Sequence, residues 1–231
     1  MNTFQHLDTN VVGRDFAVGD IHGHFARLQG VLDEIGFDTV VDRLFCVGNL
    51  IDRGPQSYLS IEWLDKPWFF AVQGSHEALA IEHVEGEMLD YHKYVANGAS
   101  WFLELSDENQ LRFAERFAQM PLALEVDTLN GLIGMVHACC PLPTWDLLRS
   151  VLREELPGLL QLRRSCQWSH LRSGGESGIP DLRALIVGHT LVPKAEIMGN
   201  VFHIDTGGWQ TDSIGHFTIM DLDTFYMHSG K

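Results

Sequence analysis

Five short segments place metal-ligating residue types where an apolar run stops: Asp20-Ile21-His22, Asn49 with Asp52-Arg53, Ser75-His76-Glu77, His137 and His189. An Asp and a His two residues apart can face one cation, the carboxylate neutralising charge and the imidazole donating a nitrogen lone pair. Mixed carboxylate and imidazole donors suit Mn²⁺, Fe or Zn²⁺ better than Ca²⁺, which prefers oxygen alone. Glycines flank the segments (Gly19, Gly23, Gly48, Gly54, Gly74 and Gly188) and permit tight turns and close backbone approach. Taken singly, His189 reads as a hydrogen-bonded core histidine and Asp20 as a turn or helix cap. The ordered set GDIHGH, GNLIDRG, GSHE, VHA and VGHT favours one shared site instead.

Such a site needs a frame that ends several strands at one place. Phe16-Ala17-Val18 is apolar, stops at Gly19-Asp20, and precedes Leu28, Val31, Leu32 and Ile35 at helical spacing. Leu44 to Val47 stops at Gly48, after which Pro55 opens a stretch with Leu59 and Trp63 four apart. Trp68 to Val72 then stops before Gly74 and the helix-favouring HEALAIEHVEGE. Three strand–glycine–helix units predict an α/β protein, in which loops at the carboxyl ends of strands converge on one crevice. The stretch from Tyr91 to Gln119 reads as mainly helical, as does Trp145 to Leu160. Further strands are expected at Leu122 to Val126, Leu132 to Val136, Ala184 to Val187, Val201 to Ile204 and Phe217 to Met220, and SGGESGIP at 173–180 reads as a loop.

Composition bounds the function. At 231 residues, 45% of them hydrophobic, the chain can bury a substantial core as one domain over 1–231. A formal charge of −15 repels nucleic-acid phosphates, and 12 His in an acidic chain suit cations instead. No apolar run approaches the ~18 residues of a membrane helix, and the N-terminus lacks a secretion signal. A cytoplasmic monomer without nucleic-acid or membrane partners is expected. Cys46, Cys139, Cys140 and Cys166 show no C-x-x-C spacing and read as reduced thiols.

The motif set resembles the phosphoprotein phosphatase family, whose GD-x-HG, GD-x-x-DRG and GNHE are followed by two isolated histidines. The short bacterial and phage serine/threonine phosphatases are the most similar branch, and NGASWFLEL (97–105), PLALEV (121–126) and FHIDTGG (202–208) extend the likeness along most of the chain. The resemblance implies a metallophosphoesterase-type α/β fold, a central β-sandwich flanked by helices with metals at the strand ends. It implies two divalent metals, Mn²⁺ foremost with Fe or Zn²⁺ as alternatives. The first would rest on Asp20 and His22, the second on Ser75, His137 and His189, with Asn49 at the bridging position. It further implies that Arg53 clamps the substrate phosphate and that His76, oriented by Asp52, protonates the leaving alkoxide. Ser75, His76 and Arg172 would join Arg53 around the phosphate. Arg172 enters because the family's second phosphate-binding arginine falls on His170, two residues earlier.

Two positions depart from that pattern. Two metals ~3.5–4 Å apart repel, and a bridging carboxylate offsets the repulsion while a shared hydroxide acts as nucleophile. Asn49 brings one donor oxygen and no charge, and Ser75 brings a hydroxyl, shorter and weaker than the family's amide. The expectation is a weakened second metal, a first metal less affected, and low activity in a metal-dependent phosphatase frame. The substrate would be a phosphorylated protein or a small phosphoester. A silent phosphoprotein-binding homologue, natural or engineered, and a dinucleoside-polyphosphate hydrolase are the alternatives.

Overall fold

The computed structural model describes residues 3–87, 90–154, 159–169, 177–211 and 214–230. The first half runs β1 (Phe4–Leu7), β2 (Asp15–Val18), α1 (Phe25–Glu34), β3 (Arg43–Cys46), α2 (Ser60–Leu64), β4 (Phe69–Ala71) and α3 (Ser75–Val84). Three helices follow, α4 (Tyr91–Ala96), α5 (Ser100–Leu103) and α6 (Asp107–Ala118), before β5 (Ala123–Thr128) and β6 (Gly131–Val136). The chain continues through α7 (Trp145–Glu154), α8 (Leu159–Trp168), β7 (Ala184–Val187), β8 (Glu196–Met198), β9 (Val201–His203), β10 (Phe217–Asp221) and β11 (Met227–Gly230). In the stretch from Trp145 to Leu160 that reads as helical, α7 covers Trp145–Glu154 and α8 begins at Leu159, and residues 155–158 lie outside those described.

Two mixed sheets carry these strands, in the orders β1-β5-β6-β7-β9-β8 and β11-β10-β2-β3-β4. Strand alternation explains why both faces are apolar. Ala17, Phe45, Leu124, Val126, Ile133, Met135, Ala184 and Ile186 point between the sheets and form the central core. Their neighbours point outward: Phe16, Val18, Leu44 and Cys46 meet α1, α3 and α6, while Leu185 and Val187 meet Trp145, Leu148 and Leu152 of α7. Strands buried on both faces read as unbroken apolar runs, as these do. The architecture is therefore helix, sheet, sheet, helix. Each fully buried Leu, Ile or Phe contributes about 1.5–3 kcal/mol, so the strand ends rest on a firm base.

Within the second sheet β2, β3 and β4 are parallel, and in the first β6, β7 and β9 are parallel. Their carboxyl ends meet. The Val47 carbonyl accepts from His137 Nδ1 at 2.7 Å, and the His189 backbone N–H donates to Asp20 Oδ1 at 3.2 Å. Among the described residues no helix is long and apolar enough to cross a membrane.

Candidate active site

Asp20 and His22 leave β2, Asn49, Asp52 and Arg53 leave β3, and Ser75 and His76 open α3 after β4. His137 leaves β6 and His189 leaves β7. These residues gather at one crevice, in which Asp20, His22, Asn49, Asp52, Ser75, His76 and His137 are buried, His189 is half-buried and Arg53 is exposed, while His170 and Arg172 lie outside the described residues. The loops that carry them are unusual. His22, Asn49, Asp52, Arg53 and His189 have φ of 45°, 54°, 69°, 65° and 63°, five of the six non-glycine residues with left-handed backbone among those described. Each such residue costs of order 1–3 kcal/mol and persists where its surroundings over-determine it.

Two devices hold these loops. Gly48 and Gly74 let the loops after β3 and β4 touch, for a Cβ on Gly48 would lie 2.8 Å from Gly74 N. Glu77, fully buried, then accepts from the backbone N–H groups of Asn49 (2.9 Å), Leu50 (2.7 Å) and Gly74 (2.8 Å). Burial pushes the Glu77 carboxyl up, and these three donors oppose that shift.

The histidines are set for ligation. His22 Nδ1 bonds the Ile51 carbonyl at 2.8 Å, as His137 Nδ1 bonds that of Val47. A carbonyl only accepts, so each Nδ1 carries the proton and each Nε2 keeps a lone pair. Burial drives both imidazoles well below their usual pKa and keeps them neutral. His22 Nε2 lies 3.8 Å from Asp20 Oδ2, and the His137 and His189 rings are 5.0 Å apart. Buried neutral imidazoles, tautomer-fixed and beside a carboxylate, fit a divalent transition metal.

Asn49 sits at the centre. Its Oδ1 accepts from the His76 backbone N–H at 2.9 Å and from Ser75 Oγ at 3.3 Å, and its Nδ2 donates to Asp20 Oδ2 at 2.9 Å. On the other wall His76 Nδ1 bonds Asp52 Oδ2 at 2.6 Å, and Trp101 Nε1 donates to Asp52 Oδ1 at 2.7 Å. The Arg53 guanidinium lies over the Trp209 ring, 4.2 Å from its centroid. Beside them opens a recess of about 390 Å³ lined by His24, Arg53, Trp209, Gln210 and Thr211.

A sequence profile described as calcineurin-like phosphoesterase matches residues 16–193, which includes every exit segment from Asp20 to His189. The chain belongs to this family. It is 28% identical over 220 residues to serine/threonine-protein phosphatase 2 of Escherichia coli (strain K12), covering 94% of this chain and 97% of that one. It is 31% identical over 207 residues to serine/threonine-protein phosphatase 1 of Salmonella typhimurium, covering 88% of this chain and 91% of the relative. Among solved structures, one titled a putative diadenosine tetraphosphatase superposes with a TM-score of 0.66 at 18% identity, covering 99% of this chain and 97% of that chain. The match to a phosphoesterase family implies dependence on a divalent metal.

Sequence reading passed over three neighbours of the phosphoesterase crevice. Asp205 follows β9 in the same strand, ligand-type residue, glycine order as the other exits, and that signal was available. It is buried, and desolvation pushes its carboxyl up to about 6. Burial, followed by the Asp205 charge, likewise holds Asp20 well above the usual carboxylate range. Trp101 and Trp209 reach the site only through tertiary packing, and no spacing announces them.

Proposed function

We propose that the chain is a phosphomonoester hydrolase directed at phosphoserine and phosphothreonine in proteins, working in the cytoplasm. The observation that carries this reading is the buried Asp52–His76 pair at 2.6 Å. With Nδ1 held on the carboxylate, His76 presents Nε2 to a leaving alkoxide as general acid, while Trp101 keeps Asp52 from rotating. Arg53, lying over the Trp209 ring, would offer its N–H groups to phosphate oxygens in the paired geometry that a guanidinium provides. The two bacterial serine/threonine phosphatases, matched over about nine-tenths of both chains, support a protein substrate. None of the four cysteines forms a disulfide, in keeping with a reducing compartment.

Asp20 and His22 would hold one divalent ion, Mn²⁺ as first choice. Ser75, His137 and His189, with Asn49, would hold a second more weakly. An ion bound there supplies charge neutralisation and water of lowered pKa. Asn49 and Ser75 also favour a second reading, a phosphoprotein-binding homologue with little turnover.

The deciding experiment is Mn²⁺-dependent hydrolysis of p-nitrophenyl phosphate and of a phosphoserine peptide by this chain beside Asn49→Asp/Ser75→Asn. Low turnover by the chain and about 10²-fold more by the double variant is expected, the scale of one missing electrostatic element. Absence of hydrolysis by both proteins, with metal bound, would overturn the phosphatase reading. A double variant that alone turns over, beside a parent that binds phosphopeptide, would support the binding homologue.

A further inference from the structure

We propose that the Asn49 amide takes the place of a cation, so that this chain keeps its crevice assembled without metal and accepts one divalent ion rather than two. The proposal rests on reading the crevice as a metal centre. Its tests read stability and metal content rather than turnover.

The orientation of the amide is fixed by its neighbours. The His76 backbone N–H, 2.9 Å away, can only donate, so the atom facing it must be Oδ1. Nδ2 therefore faces Asp20 Oδ2 at 2.9 Å, and the contact is attractive. A carboxylate at position 49 would keep the bonds from His76 and Ser75 and would set a second anionic oxygen against Asp20. In a buried place that repulsion is large, and a cation between the two oxygens is what relieves it. The amide removes the repulsion and the need for the ion together.

Other acidic groups of the crevice are also engaged by backbone donors. Asp20 Oδ1 accepts the His189 N–H at 3.2 Å, and Glu77 gathers three backbone N–H groups from the two loops. On the second-ion side, Ser75 Oγ lies 3.3 Å from Asn49 Oδ1 and 3.4 Å from His137 Nε2, two acceptors between which its single hydroxyl proton must choose. An ion entering there displaces that hydroxyl hydrogen bond and meets no anionic ligand among Asn49, Ser75, His137 and His189. An ion at Asp20 and His22 breaks one hydrogen bond and gains a carboxylate. One site stays usable.

The test purifies this chain, Asn49→Asp and Asn49→Leu, saturates each with Mn²⁺, removes free metal, counts bound Mn by mass spectrometry and records melting with and without EDTA. The chain should carry one Mn per molecule and lose only a few °C in EDTA, the contribution of that one bound ion. Asn49→Asp should carry two and lose roughly 5–10 °C in EDTA, recovering with Mn²⁺. Asn49→Leu, nearly isosteric and uncharged, strands Asp20 and the His76 N–H and should melt several degrees lower than the parent in EDTA. That comparison decides the role of the amide even where Asn49→Asp does not fold. Two Mn retained by the parent, a parent that loses as much in EDTA as Asn49→Asp, or Asn49→Leu melting like the parent would each overturn the proposal. Failure of both parent and Asn49→Asp to retain any ion would instead overturn the metal-centre reading, leaving the melting of Asn49→Leu to judge the amide.

Discussion

The two walls of the crevice share a backbone device and differ in charge. On the proton-donor wall Asp52 and Arg53 have left-handed backbone, and on the metal wall His22, Asn49 and His189 do. Both walls thus hold strained residues at strand exits. The first wall pairs its carboxylate with His76 and Trp101, whereas the second sets an amide where the family pattern calls for an anion. Geometry and charge are therefore encoded separately. Glycines and the Glu77 bonds fix the positions, and single side chains then decide what those positions can bind.

The largest expected effect sharpens that contrast. In the Asn49→Asp/Ser75→Asn background, His76→Ala should lower hydrolysis of a phosphoserine peptide by about 10²–10⁴-fold. Loss on p-nitrophenyl phosphate should be much smaller, because its leaving group needs no proton. Steady-state rates on both substrates decide it, and equal losses would show that His76 holds the wall together without donating a proton.

The contrast also marks what the sequence could disclose. Strands buried on both faces, such as Phe16-Ala17-Val18 and Ala184 to Val187, announce themselves as apolar runs, and the ligand types after them are visible as stops. The strands without that signature are β1, β8 and β11, with FQHL, EIM and MHSG. All three are sheet edges. An edge strand is short and partly solvated, so its polar residues hide it among loops. Asn49 was visible as an oddity, yet its partners were not, since a hydrogen bond to Asp20 across 29 positions has no local pattern. Glu77 was visible as a letter only, and its three backbone donors come from two different loops.

A middle-sized effect tests whether the proton-donor wall also positions phosphate. Arg53→Lys keeps the charge but loses the planar guanidinium that sits over the Trp209 ring. In the same double-variant background KM for p-nitrophenyl phosphate should rise about tenfold with kcat changed less, as for loss of one paired contact worth about 1.4 kcal/mol. Trp209→Ala should do the same more weakly and Trp209→Phe should restore much of it. A fall in kcat with KM unchanged would place Arg53 in the bond-breaking step alone.

The smallest effect concerns the metal wall without metal. Asp205 has a folded pKa of about 6, raised by burial from 3.8. Its shift is opposite to that of a salt-bridged aspartate. Between those values the folded chain binds more proton than the unfolded chain, so stability is greatest below about pH 4 from this group and falls as pH rises through 6, then levels off. Asp20 moves in the same direction, because burial and the Asp205 charge both raise it. Water entering the crevice relaxes part of the penalty, leaving roughly 1–2 kcal/mol at pH 7. In EDTA, Asp205→Asn should therefore melt a few °C above the parent at pH 7, and the gap should close towards pH 4.5. Saturating Mn²⁺ should reverse the sign at pH 7, since a cation favours the charged carboxylates that its absence penalises. A gap independent of pH would mean that Asp205 acts through its hydrogen bond to the Gly207 N–H, at 3.1 Å, and not through its charge.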